Sequence, residues 1–336
     1  MSSYKSILFC LLILSTSQGF CQYTDIINSN RPGKSKSAFS VGTNVAQIEF
    51  GTYIINEKRT PNPAYKVSGF GADFEVRYGL LLEKLELNIE GTFQNDKKTF
   101  VSNFSPEYKR ANFKFLTIGA KYLVFDPYKN KDNEKPNLYS WKANHGFKWK
   151  SLIPAVSVYL GANYDTKYNP YITPGIYGFS PKVIISTQHN FSGGWVFVMN
   201  LEKDRIGTNQ SDFQYIQTLS HSLNKQWVLF GETQGIKSDF YADNLFRFGG
   251  AYLWSKNIQL DTAFTFNMKN TPSVLNATLG VSYRLDFHKD KEIEGEASEK
   301  KEKNSSNNKK KTKDKGKKNV DKTIKKRHKD DINFDD

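Results

Sequence analysis

The feature that most constrains this chain is an apolar period of two that recurs through its middle. In Leu275, Ala277, Leu279, Val281, Tyr283, Leu285 and Phe287 one face is wholly apolar, while Asn276, Thr278, Gly280, Ser282, Arg284 and Asp286 form the other. Side chains alternate across a strand and advance about 100° per residue on a helix, so only a strand separates these two sets. The same alternation runs through Phe70, Ala72, Phe74, Val76, Tyr78 and Leu80 against Gly71, Asp73, Glu75 and Arg77. It returns in Leu85, Leu87, Ile89, Gly91 and Phe93 against Glu86, Asn88, Glu90 and Thr92.

Counted onwards, the pattern predicts about twelve strands, near 41–56, 67–80, 84–94, 112–125, 151–164, 181–189, 195–202, 213–222, 227–235, 244–254, 258–267 and 274–287. Such lengths are long for a soluble sandwich and suit tilted membrane-spanning strands. Tight turns at His189–Trp195, His221–Trp227 and Trp254–Ile258 alternate with longer polar loops such as Lys203–Asp212 and Gly235–Asp243. Short turns on one rim and longer loops on the other are the habit of an outer-membrane barrel. The fold class expected is therefore all-β, an antiparallel up-and-down transmembrane barrel. A secreted sandwich shares the alternation but not the strand length or the lopsided loops.

An internal repeat supports the count. "HNFSGGW" at His189, "HSLNKQW" at His221 and "LWSKNIQ" at Leu253 start 32 residues apart, one hairpin with its loops. Trp195 and Trp227 fall just beyond a short turn, where an aromatic girdle meets headgroups. The segment between Asp126 and Lys150 breaks the pattern by being long on the short-turn side. Its Trp141 and Trp149 either rest at the interface or dock a partner, or the segment simply covers the barrel mouth.

The ends carry different signals. Lys5 and the apolar run Ile7–Leu14 read as a secretory signal peptide over residues 1–21, cut between Cys21 and Gln22. A lipid-bearing Cys21 is the rival reading, against which Phe20 stands. Both cysteines, Cys10 and Cys21, then leave with the signal, so no disulfide or cysteine metal site is expected. The formal net charge of +14 is concentrated at the far end: Lys300–Lys329 holds 15 Lys or Arg against three acids, a balance of 15 − 3 = +12. Residues 288–336 are expected to be a disordered tail, and residues 40–287 the barrel. The charge is thus not a nucleic-acid face. An even number of strands leaves that tail in the periplasm, where peptidoglycan or an acidic periplasmic or outer-membrane protein offers counter-charge and solvated filler is the alternative.

If apolar faces meet lipid, the opposite faces line the lumen: Glu49, Asp73, Glu75, Arg77, Glu86, Glu90, Lys121, Glu232, Asp261, and Arg247 or Arg284. Two readings of this set stand, a polar pore that prefers cationic or amphipathic solutes, and a self-neutralising filling that conducts nothing. Residues 22–39 either hang as a periplasmic leader or thread the lumen as a plug, with Arg31, Lys34 and Lys36 meeting those acids. No serine, histidine and acid fall together as a catalytic set, and no cofactor or metal motif is found.

Thr278, Gly280, Tyr283, Leu285 and the terminal Phe287 resemble the last-strand signal read by the barrel-insertion machinery. Upstream, "NSNRPGKSKSAFSVGTNVAQIEFG", with Arg31, Pro32, Glu49 and Gly51, resembles the start of an outer-membrane transporter family named after a phenol-degradation meta-pathway. That resemblance covers most of residues 25–287. It implies a barrel in outer-membrane lipid and passage of small, aromatic or amphipathic compounds; a non-conducting subunit of a larger outer-membrane assembly is the other function considered.

Overall fold

The computed structural model describes residues 26–101, 106–128, 152–191, 193–239 and 241–287. Twelve strands lie among them: β1 Val45–Arg59, β2 Tyr65–Gly79, β3 Leu85–Phe100, β4 Glu107–Phe125, β5 Ala155–Asp165, β6 Gly178–Asn190, β7 Trp195–Asp204, β8 Asp212–Ser222, β9 Trp227–Lys237, β10 Ala242–Ser255, β11 Ile258–Asn267 and β12 Ser273–Asp286. Each pairs antiparallel with its sequence neighbours, and β1 pairs with β12 to close the barrel. The seam runs from Val45 opposite Asp286 to Lys58 opposite Ser273. Just past it, the Phe287 amide donates to the Asn44 carbonyl. Closure leaves no unpaired edge, the condition a sheet must meet to span hydrocarbon.

The predicted strands appear in the predicted order, with two informative differences. β3 runs to Phe100 and β4 starts at Glu107, five or six residues beyond the expected limits. This extension carries Lys97, Lys98, Lys109 and Arg110, whose charges do not read as a spanning strand, yet the hairpin ladder continues through them. At the other end β1 starts at Val45 rather than residue 41, because Gly42 (φ 93°) and Asn44 (φ 59°) take left-handed backbone that a strand cannot contain.

Alternation sorts the side chains. Ile48, Phe50, Ile54, Phe70, Leu87, Ile89, Leu279 and Val281 stand exposed on the outside, whereas Glu49, Arg77, Glu86 and Lys121 are almost wholly buried inside. An apolar exterior around a charged interior inverts a soluble protein and matches a barrel in lipid. Trp195 and Trp227 face outward at the short-turn rim, Trp195 stacked on His221 at 4.1 Å and Trp227 beside Tyr252 at 4.7 Å. In β12, Tyr283 faces outward and Thr278 and Gly280 the opposite way, with Leu285 on the outward register, and Phe287 just past its end is exposed. Trp141 and Trp149, the tail and residues 1–25 lie outside the described residues.

A lysine on the outer face should therefore destabilise where a lumen residue of equal size would not. Leu279 is 66% exposed and sits midway along β12. Leu279→Lys is expected to cost about 2–4 kcal/mol, read by urea unfolding in phospholipid vesicles; unchanged stability would mean that this face does not meet hydrocarbon.

Candidate functional site

The lumen is filled from within the same chain. Residues 26–44 start at the short-turn rim, where the Ile27 amide donates to the Lys256 carbonyl at 2.9 Å. They rise among the inward side chains and return to Val45. A segment with so little regular structure must find partners for its own backbone. The wall supplies them through side chains: Arg77 Nη1 (2.8 Å) and Gln47 Nε2 (3.0 Å) donate to the Asn28 carbonyl. Gln259 Nε2 donates to the Arg31 carbonyl at 3.1 Å, and Lys121 Nζ to the carbonyls of Ser37 and Phe39 at 3.0 and 2.8 Å. The amides of Lys34 and Ser35 donate to Glu232 Oε2 at 2.9 and 3.2 Å, and Asn200 exchanges two bonds with the Lys36 backbone at 2.6 and 2.9 Å.

Its side chains complete the contact. Arg31 faces Asp261 through Nε and Nη2, at 3.3 and 3.1 Å, with Asp73 3.9 Å away. Lys34 reaches Asp73 at 2.9 Å. Lys36 reaches Glu90 at 2.6 Å and Glu75 at 3.3 Å, with the Tyr159 ring 5.2 Å from its nitrogen. Burial opposes the charge on Lys36, and the Glu75 and Glu90 carboxylates beside it offset that cost. All three cations thus meet carboxylates from β2, β3 and β11.

Two glycines make the seat for Arg31. Gly51 and Gly280 lie opposite one another across the β1–β12 seam, and a Cβ on either would overlap the Arg31 guanidinium. Gly280 therefore has a role in the lumen besides its place in the terminal strand pattern. Only the absence of a side chain lets the guanidinium lie against the wall there.

Around this seat, the wall neutralises itself. Arg77 pairs with Glu86 at 3.0 Å and Glu49 at 3.3 Å, Lys121 joins Glu86 at 3.0 Å, and Arg247 meets Glu232 at 2.7 Å. Arg284 also points inward, 3.0 Å from Asp286. Both arginines of the expected pair are therefore inside. Nearer the long-loop end Arg205 binds Asp165 (2.9 Å) and Asp204 (3.2 Å), Lys182 binds Glu202 (2.9 Å), and Arg110 binds Asp96 (2.7 Å). Sequence reasoning missed this upper group. Lys182 and Glu202 follow the alternation and were legible from it; Arg205 sits in a turn with φ 44°, where no period applies.

Between the inserted segment and the wall remains a cavity of about 70 Å³, bordered by Arg31, Lys36, Asp73, Glu75, Glu90 and Phe115 among others. That is room for a few water molecules. At the short-turn mouth Ala38, Leu123, Tyr128 and Ala155 form an apolar cluster with Phe39 against it. Tyr128, which begins the long connection, thus packs on the inserted segment, with its ring 6.2 Å from Phe39.

A family model described as "Putative MetA-pathway of phenol degradation" matches residues 29–285. No curated protein sequence matches the chain. Among solved structures, an outer-membrane channel from Pseudomonas putida F1 is similar at TM-score 0.48 and 10% identity, covering 77% of this chain and 100% of its own. The translocator domain of the autotransporter NalP from Neisseria meningitidis gives 0.43 and 11%, covering 73% and 89%. A deltaS2S3 mutant of TodX, a monoaromatic hydrocarbon channel, gives 0.41 and 10%, covering 79% and 96%.

The Arg77 network makes a sharp test of lumen energetics. Arg77→Gln leaves buried Glu49 without its cation and Glu86 with Lys121 alone, and should cost about 3–5 kcal/mol in urea unfolding from phospholipid vesicles. Adding Glu49→Gln should recover part of that loss, because it removes the carboxylate left without a cation; a double variant as unstable as the sum of the singles, or more so, would contradict the pairing.

Proposed function

The chain belongs to the phenol-degradation meta-pathway family, since the match spans 257 of its 336 residues (29 to 285), and we propose that it is an outer-membrane channel closed from within by its own residues 26–44. The observation that carries this reading is the nature of the filling. A barrel that only needed a packed interior could close it with wall side chains, as small barrels do. Here a separate segment occupies the middle of the lumen, and its three cations sit on carboxylates of the wall. The family name adds small, aromatic or amphipathic compounds as solutes. The acidic seat adds a preference for cations or for neutral solutes over anions once the segment withdraws. In this reading the barrel is exported by residues 1–21, inserted through its last strand, and carries its tail in the periplasm.

One observation favours a second reading, a non-conducting subunit of a larger outer-membrane assembly. The cavity left beside the inserted segment holds little more than water. The contacts of such a subunit would be the 126–150 connection and the lysine-rich tail, toward peptidoglycan or an acidic protein.

Planar-bilayer recording separates the two. Arg31→Gln, Lys34→Gln and Lys36→Gln together leave Asp73, Glu75, Glu90 and Asp261 without their mobile partners, so conductance should rise several-fold over the unaltered chain and the reversal potential should report cation preference. Gly51→Ala should raise conductance without changing any charge, because it unseats Arg31. A barrel that inserts and stays silent in both variants rejects the channel. Co-extraction of a stoichiometric partner in mild detergent would then support the second reading.

A further inference from the structure

The outward face of the extended β1–β4 wall carries a row of lysines that fold stability does not explain. Lys58 of β1 stands directly opposite Lys66 of β2. Lys97 of β3 lies opposite Ser68, one outward position along from Lys66, and directly opposite Lys109 of β4. Opposed side chains on one face are about 5 Å apart and diagonal ones about 7–8 Å, so the four form an unbroken cationic chain across four strands, roughly 15 Å wide. Like charges set opposite each other across a ladder destabilise it. The acid described on this face is Glu107, 2.7 Å from Lys97, with both side chains about half exposed. Glu57 and Asp96, the nearest other acids, fall on the inward register.

The height of the row is as telling as its charge. Four residues along β1 from Lys58 and along β2 from Lys66 stand Ile54 and Phe70, opposite one another and 67% and 59% exposed, at the end of the apolar band. Neutral Asn56 and Ser68 lie between. The lysines therefore sit about 13 Å of strand, or about 10 Å of height on a tilted strand, beyond Ile54 and Phe70, at the long-loop end and on the outer side of the headgroup layer. A flexible four-carbon stem lets each ammonium reach down or sideways to an anion there.

We propose that this row is a binding surface for the phosphate groups of a phosphorylated glycolipid in the outer leaflet. Its anions bridge lysines that would otherwise repel, and its acyl chains lie on Ile54, Phe70 and the band below. The proposal rests on the outer-membrane placement with long loops outward given above, and is independent of whether the lumen conducts.

The test uses the full chain in neutral detergent and a diphosphoryl glucosamine-disaccharide glycolipid, with its dephosphorylated form as comparison, read by native mass spectrometry. The unaltered protein should bind the diphosphoryl form at least about tenfold more tightly than the phosphate-free one. Lys58→Gln, Lys66→Gln, Lys97→Gln and Lys109→Gln together should abolish that preference, and the four Lys→Arg changes should keep it. Equal binding by the glutamine variant, or equal binding of the phosphate-free lipid, would overturn the proposal. An Asn209→Cys substitution in the loop between β7 and β8 distinguishes failure of the premise. Labelling of intact cells by an impermeant maleimide supports the orientation, no labelling overturns orientation and proposal alike, and labelling with unchanged lipid binding overturns the proposal alone.

Discussion

Hydrocarbon offers no hydrogen bonds, and that one constraint organises the molecule. Every amide and carbonyl in the bilayer must be answered by another part of the chain. The β1–β12 seam answers it for the wall, and once the wall is closed the alternation of side chains has no freedom left. Whatever faces out must be apolar, so whatever is charged must face in. Charges confined to a narrow tube with little water must then find each other. The pairing of Arg77 with Glu86 and Glu49, and of Arg247 with Glu232, is thus a consequence of closure rather than a separate source of cohesion.

The same constraint acts again one layer further in. Residues 26–44 bring a second backbone into the tube, and between its two ends that backbone lies outside the strand ladder. Their partners are wall side chains with donors or acceptors to spare, Gln47, Lys121, Asn200, Glu232 and Gln259. Lys121 shows the double duty, holding Glu86 in the wall and two carbonyls of the inserted segment with one ammonium. Wall and insert are therefore not independent: withdrawing the segment strips partners from the wall, and changing the wall loosens the segment.

How much of this could be read from the sequence follows from how far each pattern reaches. Strand identity is local, and Leu275 to Phe287 show it within a dozen residues. The inward position of Glu49 or Asp73 follows from the same local period. What no local pattern contains is register. Arg31 and its partner Asp261 are 230 positions apart, and Gly51 meets Gly280 only because the first and last strands pair with one particular offset. Read alone, Gly280 belongs to the terminal strand pattern and Gly51 to the N-terminal family resemblance. Their shared task appears when the seam brings them opposite each other. Length was misread for a different reason: Lys97 and Lys109 argue against a spanning strand, and they do lie beyond the span, but a hairpin ladder needs no membrane to continue.

That extension also shows where the membrane constraint stops. Within the bilayer, a charge on the outer face is costly and the sequence excludes it; past Ile54 and Phe70 the exclusion ends, and after neutral Asn56 and Ser68 lysines appear. Solvation alone would be satisfied by any polar residue, and by mixed charges better than by one sign, since opposed lysines repel. The acids on the inner surface of the same strands are met by cations of the wall and of residues 26–44. One wall thus carries two electrostatic regimes separated by a single layer of backbone, neutralised where the chain must supply its own partners and unbalanced where the surroundings can supply them.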